Sequence, residues 1–192
     1  LRQPLEDKEI TVTRSAHTVT YPANFMLIAS MNPCPCGNYD SATQECTGAP
    51  VQIHNYLSKL SGPLLDRIDI HGEVDSISYD DLRYESPSED SASVRARVNA
   101  ARELQKTRYA DSGIYSNAQM NNSQIKEFCR IDDESAALIK TSFEKFRMSA
   151  RAYSRILKVA RTIADLETCE QISSAHIAEA IQYRTLDKKY NV

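Results

Sequence analysis

The sequence predicts an α/β portion followed by an all-α portion. Three observations carry this: strand-like alternation and an apolar run before residue 75, a polar stretch without periodicity after it, and helical spacing of apolar residues from there on. The expected organisation is 1–75 for the α/β part, 76–90 for a linker and 91–192 for a helical domain.

Glu9 to Thr13 and His17 to Tyr21 alternate in polarity around Arg14, Ser15 and Ala16, the pattern of a β-hairpin. Phe25 to Ser30 is an unbroken apolar run of strand length, which predicts a buried central strand of a parallel sheet. Asp69 to Val74 is a second strand candidate. A cysteine loop and a helix around Val51 to Leu60 lie between them, so a strand, crossover, strand unit is expected. Residues 75–90 contain Pro87 and four serines, the composition of a linker. Val94, Val98, Ala101 and Leu104 then recur at helical spacing. Ser123, Asp132 and Ser149 read as N-caps of three further helices, and a last helix runs from near Ser174 to near Tyr183.

With 192 residues, 41% of them apolar, the chain suits one medium domain or two small ones. No long apolar run and no secretory signal is visible, so no membrane partner is expected and the cytoplasm is the default compartment. Leu1 to Leu5 read like a helix already under way, which suggests a piece of a longer chain. The net charge of −3 argues against coating nucleic acid through bulk positive charge, though a local basic face is compatible with it. Five cysteines, an odd number, speak against a disulfide framework and leave metal binding or plain burial.

The helix from Ser149 to Glu167 is amphipathic. Tyr153, Ile156, Ala160, Ile163 and Ala164 share one face, with Arg151, Arg155, Lys158 and Thr162 opposite. The polar side is either solvated or presents Arg151, in the first turn, to a phosphate; a guanidinium suits that by its planar fork of donors.

Taken together, Leu1-Arg2-Gln3-Pro4-Leu5-Glu6-Asp7, Ser30-Met31-Asn32-Pro33, Ser61-Gly62-Pro63-Leu64-Leu65-Asp66-Arg67-Ile68-Asp69, Ser149-Ala150-Arg151-Ala152-Tyr153 and the string from His176 to Arg184 span nearly the whole chain. In that order they resemble the magnesium-chelatase-like AAA+ ATPases, particularly the bacterial competence-associated branch. The resemblance implies the C-terminal part of an AAA+ P-loop NTPase core, with sensor-1 strand, pre-sensor-1 hairpin and arginine-finger region, followed by a helical lid. It also implies ATP and Mg²⁺ as cofactors and a ring, expected to be a hexamer.

Within that resemblance, Asn32 matches sensor 1, whose amide orients the attacking water; otherwise it is a turn-forming Asn before Pro33. Arg67 matches the arginine finger that reaches a neighbour's ATP; otherwise it forms a surface pair with Asp66 or Asp69. Arg151 matches sensor 2, and Arg155 does not occupy the matching position. The hairpin looks like the insertion that lines the ring's pore, where Lys8, Arg14 and His17 are the candidates for touching DNA phosphates, or are simply solvated.

Cys34-Pro35-Cys36-Gly37 with Cys46 looks like part of a zinc knuckle. Related proteins place another cysteine two residues after the third, where this chain has Gly48. His54, a distant cysteine or water would have to complete the site, or else the loop is metal-free. Cys129 and Cys169 read as buried thiols. No Gly-x-x-x-x-Gly-Lys-Ser/Thr string occurs, so this stretch alone is expected not to hydrolyse ATP. The resemblance favours an ATP-driven DNA motor for branch migration or helicase-like remodelling during recombination of incoming DNA. The alternatives are metal insertion into a tetrapyrrole or protein remodelling, and a degenerate scaffold subunit.

Overall fold

A computed structural model describes residues 1–184 except 16, 40, 42–43, 75–78, 80–82, 84–87 and 147. Most of the expected linker, and the expected helical domain beyond residue 184, lie outside the described residues. The chain divides into two compact units, one ending at Ile68 and one beginning at Asp69.

The first unit opens with α1 (Arg2–Asp7), which ends where Lys8 turns left-handed at φ 58° and donates its N–H to Pro4 O. The chain then enters β1 (Glu9–Arg14) and returns in β2 (His17–Pro22), antiparallel, with Ile10 opposite Tyr21, Val12 opposite Val19 and Arg14 opposite His17. The period of two sorts this hairpin into two faces. Ile10, Val12, Val19 and Tyr21 share one, while Thr11 with Thr20 and Thr13 with Thr18 form hydroxyl pairs on the other, at 3.1 and 3.2 Å. Every described residue of the hairpin is exposed.

The two other expected strands are absent. Residues 23–30 carry no regular structure, and Phe25, Met26 and Ile28 are 45, 84 and 86% exposed. Residues 69–74 are likewise unpaired as a strand, with Val74 95% exposed and the His71 N–H donating to Tyr183 O. A strand exists only through hydrogen bonds to a neighbour, and among the described residues the hairpin is the whole sheet. The described residues thus form a helix-rich fold with one two-stranded ribbon, and the expected parallel sheet is not formed among them. The helix expected around Val51 to Leu60 does form, as α2 (Pro50–Leu57), with proline in its first turn and Gln52 accepting from the Ala49 N–H. The short α3 (Gly62–Leu65) follows it.

The second unit holds α4 (Ser91–Arg108), a 3-10 turn (Asn117–Gln119), α5 (Asn122–Phe128), α6 (Asp133–Phe146), α7 (Ala150–Leu166) and α8 (Ser174–Gln182). Asp132 and Ser149 cap α6 and α7 as expected, through the N–H groups of Ser135 and Ala152. The cap of α5 is Asn121 rather than Ser123: its carboxamide accepts from the Gln124 N–H, and Gln124 reciprocates to the Asn121 N–H.

The core lies here. Ile156, Ala160, Ile163 and Ala164 of α7 meet Ile177, Ala180 and Ile181 of α8, with Tyr109, Met120, Ile125, Cys129 and Ile139 closing around them. Burial pushes the Cys129 thiol up to about 11, as expected of an inert core cysteine. Cys169 departs from expectation and is exposed.

Candidate functional site

In the second unit, α7 decides which basic residues face solvent. Arg155 forms an ion pair with Asp69. Lys158 donates to Ala118 O at 2.9 Å, and Thr162 accepts from the Asn117 carboxamide at 3.0 Å. The polar face is thus mostly tied to its own fold, and of its four residues Arg151 is the exposed one. Arg151 sits in the first turn, just behind the Ser149 cap. Tyr153 does not join the core. It is 39% exposed and lines an apolar cavity of about 440 Å³ with Ile131, Ile139, Phe143 and Ala150. Ser149→Ala removes the cap that fixes this turn, and an expected loss of about 1 kcal/mol should register in urea unfolding.

A buried polar network in the same unit escapes the apolar periodicity altogether. Asp165, fully buried, accepts from Arg108 at 2.6 and 2.8 Å, from Asn117 at 2.8 Å and from Arg161 Nε at 3.1 Å. Arg161 directs its remaining donors to the carbonyls of Cys169 and Glu170. Burial alone would raise the Asp165 carboxyl, but the Arg108 and Asn117 hydrogen bonds and the two guanidinium charges outweigh it and hold it below the usual carboxylate range. The spacing Arg161, Asp165 is the one sequence signal, an i,i+4 pair placed on the apolar side of a helix.

Glu167, Cys169 and His176 also converge. The Ser173 N–H donates to His176 Nδ1 at 3.0 Å, which leaves the ring proton on Nε2, 2.9 Å from Glu167. A cation at Nε2 would need the lone pair that this proton occupies. The cluster is a hydrogen-bonded clasp between the ends of α7 and α8.

In the first unit, Arg67 follows α3 and turns back on its own chain. It donates to Pro63 O and pairs with Glu6, leaving its side chain 12% exposed. Glu6 is a longer-range partner than the neighbours Asp66 and Asp69 considered from sequence. Lys8, Arg14 and His17 are exposed, the latter two side by side at the hairpin tip next to Ser15 at φ 52°.

Asn32 is exposed and leads into the cysteine loop, its carboxamide nitrogen 4.0 Å from the position a Cβ on Gly37 would take. The loop turns on Gly37, whose φ of +86° suits glycine and whose N–H donates to Cys34 O. The turn gathers three free thiols: Cys34 and Cys36 at 3.1 Å, Cys36 and Cys46 at 3.4 Å, Cys34 and Cys46 at 3.7 Å. The Asn38 N–H, with Cys34 and Cys46, lowers the Cys36 thiol to about 6. Cys46 moves the other way: Cys36, burial and Cys34 outweigh the pull of the Gly48 N–H. Three thiolates on one tetrahedral Zn²⁺ lie about 3.8 Å apart by the Zn–S length, so the trio fits three corners of such a site. His54 does not supply the fourth. Among the described residues, no other histidine, cysteine or carboxylate has a ligand atom within 4.8 Å of all three.

Comparison with known proteins bears on the whole chain. Residues 1–82 match the family model described as magnesium chelatase, subunit ChlI, and residues 88–184 match its C-terminal counterpart. Competence protein ComM of Haemophilus influenzae is 42% identical over 97% of this chain, and YifB of Escherichia coli is 40% identical over 98%. A Mycobacterium tuberculosis protein is 33% identical over 96%. This chain spans 36% of the length of each. Among the described residues no helix is long and apolar enough to cross a membrane. The two family models follow one another along most of the sequence, and on that ground the chain belongs to the magnesium chelatase ChlI family, an AAA+-related family.

Proposed function

We propose that the chain is the rear part of an ATP-hydrolysing AAA+ ring that acts on DNA. The observation that carries this is the fully exposed hairpin with Arg14 opposite His17 at its tip, in a chain similar along nearly its whole length to a competence protein. A two-stranded ribbon with an arginine and a histidine side by side at its end suits phosphate contact.

In this reading Asn32 orients the attacking water, Arg67 is the finger given to a neighbouring subunit's ATP, and Arg151 senses the nucleotide bound in its own subunit. The exposure of Arg151 in the first turn of α7 supports that assignment. The ATP phosphates and Mg²⁺ bind elements outside this chain, and this stretch alone does not turn over ATP. The exposed run 25–30 pairs with strands of that remainder, burying Met26 and Ile28. The ring is a cytoplasmic hexamer. Domain boundaries follow the reading of 1–75 as core, 76–90 as linker and 91–192 as lid. Cys34, Cys36 and Cys46 hold a Zn²⁺ that braces the loop behind Asn32.

The test is ATP hydrolysis by the full-length protein with and without single-stranded or branched DNA. Hydrolysis stimulated by DNA, with the stimulation weakened in the Arg14→Ala, His17→Ala double variant, is the expected result. The slope of log affinity against log salt should fall by about 1 for every DNA phosphate that the variant no longer neutralises. The second reading, metal insertion into a tetrapyrrole or protein remodelling, is favoured by the description of the matching family. Hydrolysis indifferent to DNA would select it.

A further inference from the structure

Among the described residues the thiol trio brings three ligand atoms together and no fourth. Cys34 is fully buried, Cys36 is exposed, and the three sulfurs stand 3.1 to 3.7 Å apart. Two positions of the loop fix this arrangement. Gly37 supplies the left-handed turn, and Gly48 lets the chain pass close behind Cys46. A Cβ built on Gly48 stands 3.6 Å from Cys46 Sγ, so a side chain there would lie against the trio. Glycine contributes no ligand atom there, and the Ile53 side chain packs against it at 3.2 Å from the same built Cβ. A closed structural zinc site takes four protein ligands, whereas three protein ligands with an open position is the pattern of sites that exchange or react.

We infer that Cys34, Cys36 and Cys46 form a three-thiolate site for a thiophilic divalent cation, with a fourth coordination position left to an external ligand such as a small thiol. This rests on reading the trio as a metal site and deepens it. Uptake by the thiol forms releases their protons, the metal–sulfur bonds replacing S–H bonds with no change of oxidation state. The protein then holds the ion through one buried and two more accessible sulfurs, and a solvent water or an incoming thiolate completes the tetrahedron. The binding is accordingly weaker and more exchangeable than at a four-cysteine site.

The experiment loads the full-length protein with one equivalent of Cd²⁺ and reads the ultraviolet thiolate-to-metal charge-transfer absorbance, whose amplitude counts bound sulfurs. The reference is the same protein with all three cysteines changed to serine. Wild type is expected to show a difference signal, and Cys36→Ser, at an exposed position that leaves the fold alone, to lose about a third of it. Gly48→Cys should raise the signal by a third and tighten Zn²⁺ binding by more than about tenfold. Added glutathione should raise the wild-type signal by a third and leave Gly48→Cys unchanged.

No difference between wild type and the triple-serine protein would remove the metal reading itself. A wild-type signal that neither glutathione nor Gly48→Cys increases would keep the metal and overturn the open position. Partial burial of a cysteine at 48 against Ile53 Cγ1, 3.2 Å from the built Cβ, is guarded against by the glutathione arm, which alters no residue.

Discussion

Arg67→Ala in the full-length protein should lower the rate of ATP hydrolysis about a thousandfold while leaving nucleotide binding nearly intact, because a finger acts on charge that develops in the transition state. The structure adds a condition. Arg67 is folded back onto Glu6 and Pro63 O, so its guanidinium must leave these partners to reach a neighbour's nucleotide. A triphosphate offered by a neighbouring subunit competes easily for the same donors, since phosphate takes them as a charge-assisted fork. Glu6→Gln should therefore leave hydrolysis within a few-fold of wild type. Arg67→Lys should behave like Arg67→Ala, because an ammonium cannot present the planar fork. Rings mixed from Arg67→Ala subunits and subunits unable to bind ATP provide the discriminating readout. Recovery of activity in the mixture, where neither subunit type is active alone, places the finger in trans, and no recovery places it in its own subunit.

What the sequence discloses depends on whether a residue's partner is near it in the chain. The hairpin and the helices of the second unit are legible because period, capping residue and turn are local: Asp132 and Ser149 announce α6 and α7 within three residues of the N–H groups they accept from. Ser123 misleads for the same reason, since Asn121 stands two residues earlier and can form a reciprocal pair with Gln124. The apolar run at 25–30 has the composition of a central strand, but composition states what a segment would bury and not whether a neighbour is there to bury it. Arg67 with Glu6 and Arg108 with Asp165 are beyond local reading, because 61 and 57 residues separate the partners. The cysteine spacing discloses the trio but leaves the missing ligand open. Geometry removes His54 from consideration and shows Gly48 beside the gap.

The buried network yields the second large effect. Asp165 stands between Arg108 and Arg161, and its four hydrogen bonds join α4, the 3-10 turn and α7, while Arg161 holds the loop that leads to α8. Changing Asp165 to Asn keeps the shape and removes the charge, leaving two guanidinium groups facing an amide that can only partly accept their donors. Breaking a buried pair in this way costs about 3–5 kcal/mol, most of it the penalty of the uncompensated cations. Urea or thermal unfolding should show that loss, and the Arg108→Ala, Asp165→Ala double variant should fall well short of the sum of its single variants. The pH dependence has the sign of any carboxylate held in its charged form by the fold. Because the folded state holds the Asp165 carboxyl below its unfolded value of about 4, the unfolded chain binds the proton more readily. The stabilisation is complete above that unfolded value and is lost as pH falls through the depressed folded one. Asp165→Asn should accordingly flatten the acid limb of the stability curve while leaving the neutral and basic limbs parallel to wild type. An acid limb unchanged by the substitution would mean that the carboxylate is not what ties α7, and with it Arg151, to the rest of the second unit.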